Sequence, residues 1–337
     1  MSEKTVAILG ATGVVGTQML ECLEERGFPV GRLVPLASAR SLGRRVRFGG
    51  EEIPVREAAP EAFEGVDIVL GAAGDEQARE LLPEAALRGA VCVDNSHAFR
   101  MDEDVPLVIP EINAEDIANH PRNIISNPNC ATIIGLVPLW PLHKLAQVKR
   151  IVASTYQAAS GAGMPGLREL EREARALALG EELGEFGPFA HQLAYNLIPQ
   201  IGGFGEGGYT SEELKMLHEG RKIMHLPQLR VNCTCVRVPV MRSHSESITV
   251  EFERPIGVEE ARAALAQAPG VKLVDDPETL AYPMPLDSSD QDLILVGRVR
   301  RDLSAPEGAS SLSFWCCGDQ IRKGAATNAV QIAEHLL

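Results

Sequence analysis

The chain has no surplus of positive charge: 32 lysines and arginines face 46 aspartates and glutamates, a formal net charge of −14. Nucleic acids and anionic membranes select for basic patches, so neither is expected as a partner, and an anionic substrate must be met by a few local cations. Paired cysteines are missing too. The seven present, Cys22, Cys92, Cys130, Cys233, Cys235, Cys316 and Cys317, form no CxxC pair and no disulfide-like spacing, which points to reduced thiols and to no metal site. The longest apolar stretch, Cys130 to Leu142, is too short to span a bilayer and contains Pro138 and Pro141. Met1-Ser2-Glu3-Lys4 leads directly into a strand-like run without the charged-then-apolar order of a leader, so a soluble, cytoplasmic protein is expected. Internal repeats and low-complexity tracts are absent.

What is present suggests two domains, because 337 residues is long for one core. The first third alternates. Strand patterns at Thr5 to Leu9, Leu33 to Ala37, Val66 to Ala73 and Ala90 to Asp94 are interleaved with helical patterns at Gly13 to Arg26 and Asp75 to Leu87. That order predicts a parallel, doubly wound sheet of the Rossmann type, with a hairpin inserted at Arg44 to Val55 around Gly49-Gly50. Beyond Cys130 the strands lengthen: Val148 to Tyr156, Leu229 to Val240, Ser247 to Glu253, Leu293 to Arg300 and Ser311 to Cys317. These predict an α+β domain with a mostly antiparallel sheet. Between the first two lies an excursion, residues 164–225, with charged helices at Leu167 to Ala178 and Ser211 to Met224; insertions of that size commonly serve a subunit contact or a lid. The expected division is 1–129 plus 322–337 for a nucleotide domain and 130–321 for catalysis and dimerisation.

Two local patterns carry chemistry. Ser126-Asn127-Pro128-Asn129-Cys130-Ala131-Thr132 is a polar turn running into an apolar stretch, so a helix beginning there would aim its open N–H groups at the Cys130 sulfur. Such a thiolate attacks carbonyl carbon; the alternative is a small buried hydrophobe. The first strand ends in Gly10-Ala11-Thr12-Gly13-Val14-Val15-Gly16 and opens a helix, the context of a dinucleotide site, although Thr12 replaces the middle glycine of the strict fingerprint. After the second strand, where an NAD enzyme places Asp or Glu, stands Ala37-Ser38-Ala39-Arg40-Ser41. Two hydroxyls and a guanidinium suit a 2′-phosphate, so NADP is favoured over NAD.

Three further segments, Ser154 to Gly163, Arg237 to Glu246 and Ile321 to Glu334, together with the Cys130 turn and the Gly10 loop, resemble the aspartate-β-semialdehyde dehydrogenases over nearly the whole chain. The resemblance implies Cys130 as nucleophile, His244 as acid or base, Gln157 orienting the acyl group and Arg237 gripping the substrate carboxylate. It further implies phosphate contacts from Arg100, Asn129 and Lys215, an amine contact from Glu213, and cofactor contacts from Gly10, Ala11, Thr12, Gly13, Val14, Val15, Ser38, Arg40, Ser41, Ser160, Gly161, Gly324 and Asn328. On spacing alone His244 is more often structural, Arg237 a surface ion pair, Gln157 an edge-strand amide and Lys215 a solvated helix face. The chain departs from the family pattern at His97, where a small hydroxyl residue is expected, and at Asp75-Glu76 after Gly74, where Ser or Thr is commoner.

The implied reaction is NADP-dependent reductive dephosphorylation of L-aspartyl-4-phosphate to the semialdehyde through a Cys130 thioester, in lysine, threonine, methionine and isoleucine biosynthesis. The expected partners are that small substrate, inorganic phosphate and a second copy of the chain, as a homodimer or dimer of dimers. The alternatives are an N-acetyl-γ-glutamyl-phosphate reductase and a dinucleotide-sensing regulator without catalysis.

Overall fold

The computed structural model describes residues 3–337; Met1 and Ser2, which open the stretch read above as leaderless, lie outside the described residues. The chain divides into two compact units, one running to Asn129 and resuming at Gly324–Leu337, the other Cys130–Lys323.

The first unit contains β1 (Lys4–Leu9), α1 (Val14–Glu25), β2 (Val30–Ala37), the hairpin strands β3 (Arg45–Phe48) and β4 (Glu51–Pro54), β5 (Arg56–Glu57), β6 (Ile68–Gly71), α2 (Asp75–Leu87), β7 (Val91–Asp94), the single turn α3 (Pro110–Asn113) and β8 (Ile124–Ser126). Six strands form one sheet in the order β5-β2-β1-β6-β7-β8, every pair parallel. Val6 to Leu9 and Ile68 to Leu70 are buried without alternation, as strands covered on both faces must be. One cover includes Met19, Leu20 and Leu23 of α1 and Ala329, Val330 and Ile332 of the C-terminal helix Thr327–Glu334; the other includes Ala78, Leu81 and Leu82 of α2. The foreseen hairpin is there, turning on Gly49 and Gly50, whose φ of 59° and 78° a side chain would resist. The short strand β8 closes the sheet edge and stops at Ser126, directly before Asn127-Pro128.

The second unit contains α4 (Cys130–Ala146), β9 (Val148–Gln157), α5 (Gly163–Leu179), α6 (Ser211–Ile223), β10 (Arg230–Arg237), β11 (His244–Phe252), α7 (Val258–Ala266), β12 (Val271–Leu273), the single turn α8 (Pro285–Ser288), β13 (Ile294–Arg301) and β14 (Ser310–Gly318). Its sheet runs β10-β9-β11-β14-β13-β12. The sheet is mixed: β9–β11, β11–β14 and β13–β14 are antiparallel, while the outer pairs β10–β9 and β12–β13 are parallel. The strand expected to reach Val240 leaves the ladder at Arg237, because Pro239 has no N–H to give it. Along β9 and β11 burial alternates with period two, so one face is buried and the other half-exposed. On the buried side lies α4, apolar all round and buried from Ala131 to Leu139 despite Pro138 within it, with α6 against β10. No helix among the described residues is long and apolar enough to cross a membrane.

Candidate active site

The parallel β9–β10 pair and the antiparallel β11 bring three strand ends together, with Arg237 opposite Gln157 and Ser245 opposite Tyr156. Polar side chains gather on the buried face at this end. Gln157 accepts from Thr155 Oγ1 at 3.0 Å and donates to Glu212 Oε1 at 3.2 Å, and its amide nitrogen lies 3.3 Å from His244 Nε2. Arg237, buried, donates to the Ala158 carbonyl at 2.7 Å, lies over the Phe189 ring and is within electrostatic reach of Glu212 and Cys130. Cys130 is half-buried at the first position of α4, where the open N–H groups and the dipole favour an anion.

The backbone decides the state of His244. The fixed Ala158 N–H donates to Nδ1 at 3.1 Å, so Nδ1 must be an acceptor and the neutral ring carries its proton on Nε2. Gln157 Nε2 and His244 Nε2 are therefore two donors side by side rather than a hydrogen-bonded pair. Complete burial, and secondarily the Arg237 charge, push the imidazole pKa down to about 3, so the ring is uncharged at neutral pH. The sequence reading allows an acid or a base; this geometry makes His244 a hydrogen-bond donor, and its one basic nitrogen is occupied by Ala158.

The neighbouring loop explains its glycine. A Cβ on Gly161 would fall 2.5 Å from Arg237 Nη1 and 3.2 Å from His244 Cε1, so only glycine lets both side chains approach. Ser160, in the same loop, accepts from Gln320 Nε2, while Gln320 Oε1 accepts from the Ser243 N–H at 2.8 Å. Gln320 thus ties this loop to the residue before His244, and Ser243 itself has φ of 73°. No sequence pattern singled Gln320 out.

Glu213 requires a correction. Its Oε2 accepts from the Thr210 N–H in a capping box with Thr210, and its Oε1 accepts from the Cys235 N–H at 3.1 Å, so the carboxylate caps α6 and pins it to β10. The carboxylate at the site belongs to Glu212, one residue earlier, which holds Lys215 Nζ at 2.8 Å as well as Gln157. One helical position turns a side chain by about 100°, and adjacent identical residues offered no sequence signal to choose between them.

In the first unit Gly10 has φ of 93° and its Cβ would fall 2.7 Å from the Ala72 carbonyl oxygen; a Cβ on Gly16 would strike the Gly10 carbonyl. Gly10 and Ala11 both donate to the Leu36 carbonyl, and Gly13 caps α1 without any side-chain bond, so Val14 and Val15 open the helix with bare N–H groups. Thr12 Oγ1 meets Ser41 Oγ at 3.1 Å, joining the glycine loop to the loop after β2. A groove of about 430 Å³ is lined by Gly10, Thr12, Gly13, Ser38 and Arg40, with Glu57 and Glu80 also on its walls. Gly16 was not among the cofactor residues expected; it stands one position beyond the third glycine of the strict fingerprint counted from Gly10, a place Val15 takes.

Arg100, buried, donates to the Asn95 carbonyl at 2.8 Å, and Asn129 is buried at the end of this unit. Gly324 precedes the C-terminal helix, on which the buried Asn328 donates to Val108 O at 3.0 Å and to Asn127 Oδ1 at 2.6 Å. The two departures are partners. Asp75 Oδ1 accepts from the His97 N–H at 2.8 Å, so the carboxylate that replaces a hydroxyl residue holds the loop containing the unexpected histidine.

Comparison with known proteins adds a family to this geometry. Residues 5–120 match the family described as semialdehyde dehydrogenase, NAD binding domain, and residues 139–323 match semialdehyde dehydrogenase, dimerisation domain. The chain is 49% identical to aspartate-semialdehyde dehydrogenase of Synechocystis sp. over 98% of its length and 97% of the relative's. It is also 49% identical to that of Aquifex aeolicus, again over 98% and 97%. The crystal structure of aspartate semialdehyde dehydrogenase II from Vibrio cholerae complexed with ASA is 45% identical, with a TM-score of 0.96 over 100% of this chain and 98% of that one.

Proposed function

The chain belongs to the aspartate-semialdehyde dehydrogenase family, an enzyme family with an NAD(P)-binding domain, and from that premise we propose that it converts L-aspartyl-4-phosphate to L-aspartate 4-semialdehyde with NADPH. The observation that carries the reading is the convergence of Gln157, Glu212, Arg237 and His244 on one buried sheet end, with Arg237 in electrostatic reach of Cys130.

In this reading the Cys130 thiolate attacks the acyl carbon, forms a C–S bond and expels phosphate, leaving a thioester. Arg237 holds the substrate's α-carboxylate through its guanidinium fork, and Glu212, rather than Glu213 with its carboxylate engaged by Thr210 and Cys235, holds the α-amine. For the phosphate we keep Arg100, Asn129 and Lys215 as donors. NADPH, when bound, supplies the hydride that takes the thioester to a hemithioacetal. The Nε2–H of His244 and the Gln157 amide donate to the oxygen that becomes anionic, and collapse of the C–S bond frees the aldehyde and returns the thiolate. A neutral histidine suits that task, because a donor that is not itself an anion's counter-charge leaves Arg237 free to orient the carboxylate.

The cradle around Gly10 fits a dinucleotide, since close backbone approach and an open helix N-terminus are what a pyrophosphate needs. Ser38, Arg40 and Ser41 favour NADP, and Ser160 and Gly161 are proposed contacts for its nicotinamide end. The matched dimerisation domain supports a homodimer.

The test follows NADP reduction by purified protein given aspartate semialdehyde, with and without phosphate, beside N-acetylglutamate semialdehyde. We expect turnover that requires phosphate and the first aldehyde. Turnover of the acetylated aldehyde alone would reassign the chain, and none with either would leave a binding protein.

A further inference from the structure

Directly beneath the proposed site sits a carboxyl group with no visible task. Glu246 is completely buried on β11, two residues from His244 and therefore on the same face of the strand. Neither of its oxygens has a hydrogen-bond partner among the described residues. It lies against α4, where a Cβ on Gly135 would fall 2.7 Å from Oε2 and 3.1 Å from Met216 Cε of α6. Gly135 is five positions after Cys130, so this contact sits about one and a half turns behind the nucleophile.

We propose that Glu246 is a positioning residue that works as a neutral carboxylic acid, seating the Cys130 helix at Gly135 against the strand that bears His244. The proposal rests on the reading above for the roles of Cys130 and His244. The titratable groups in electrostatic reach of Glu246 offer it no cation: they are Cys233 and Cys235 of β10, Cys316 and Cys317 of β14, and Glu212 of α6. The Cys235 sulfur and burial keep Cys233 a neutral thiol, burial does the same for Cys316 and Cys317, and the Glu212 carboxylate opposes a charge on Glu246 directly. From β9 its register neighbour is Thr155, and from α4 it meets Gly135. His244 on its own strand is neutral. Burial first, then Cys235 and Glu212, hold the carboxyl well above the usual carboxylate range.

A consequence for stability follows by linkage. Below the unfolded carboxyl pKa, about 4.3, both states hold the proton and the stability is fully present. Above it the unfolded chain releases a proton that the folded chain retains, so stability falls as pH rises toward the folded pKa. Glu246→Gln keeps the shape and removes the titration.

Three measurements on the full chain test this. Infrared spectra at neutral pH should show a buried protonated-carboxyl band that Glu246→Gln removes; absence of that band in the unsubstituted protein overturns the proposal. Melting temperature between about pH 5 and 9 should fall less steeply in Glu246→Gln, and equal slopes overturn it. Turnover should fall about tenfold or more in Glu246→Ala, which leaves α4 unsupported, and return to within about twofold in Glu246→Gln. A glutamine variant as impaired as the alanine one overturns it, whether or not alanine folds. The first two readouts do not depend on the reaction, so failure of the catalytic reading would leave them standing.

Discussion

The two units build their sites from different materials. In the first, the cradle is mostly backbone: the Gly10 turn, the open N–H groups of α1 and the bare Cα of Gly16. In the second it is side chains from five elements: Cys130 at the head of α4, Gln157 at the end of β9, Glu212 on α6, Arg237 on β10 and His244 on β11. A backbone site tolerates variation in side chains but not in glycine. A side-chain site inverts that tolerance, and each member is irreplaceable for its own chemical reason.

Substitutions can break this contrast in order of size. Cys130→Ser, on the side-chain side, should reduce turnover by about a thousandfold or more, because a hydroxyl stays protonated where a thiol ionises. Steady-state rates on folded protein check it, and a near-normal rate would remove the covalent step. Next, His244→Asn should lower kcat by about a hundredfold. His244→Gln should retain more, since its amide nitrogen reaches the place of Nε2–H; equal losses would deny that a donor at Nε2 is what matters. The smallest effect belongs to the backbone side, where a side chain only adds to a cradle already formed. Arg40→Ala should weaken NADP about tenfold, roughly 1.4 kcal/mol, and leave NAD nearly unchanged in titration calorimetry. Equal loss for both nucleotides would make that loop structural.

The same contrast decides what a sequence reveals. The parallel sheet, its two main helices and the hairpin were legible because each signal is local: continuous apolar strands, a 3.6-residue period, Gly49-Gly50. The helix α7 was not read, being short and weakly patterned, and the outer parallel pairs of the second sheet have no local signature. In the side-chain site, Gln157, Arg237 and His244 were named through motif resemblance, since 87 positions separate the first from the last. What the motif lacked was direction. It did not distinguish Glu212 from Glu213, because only the capping box and the Cys235 N–H decide which carboxylate turns away. Nor did it reveal the tautomer of His244, which depends on one amide at Ala158.

The return of the last fourteen residues to the first unit bears on how the chain is made. On the ribosome, residues up to Asn129 emerge before the rest of this chain, yet one cover of their sheet has only its α1 part until Ala329, Val330 and Ile332 appear, and Asn127 lacks its Asn328 partner. The 194-residue span Cys130–Lys323 is synthesised in between. Of the two units, the one whose synthesis starts earlier is thus completed later, and while it waits, part of an apolar sheet face stands open to chaperones or to misassembly. A premature stop that removes only the helix Thr327–Glu334 should therefore damage the fold of a sheet more than 190 residues upstream of it.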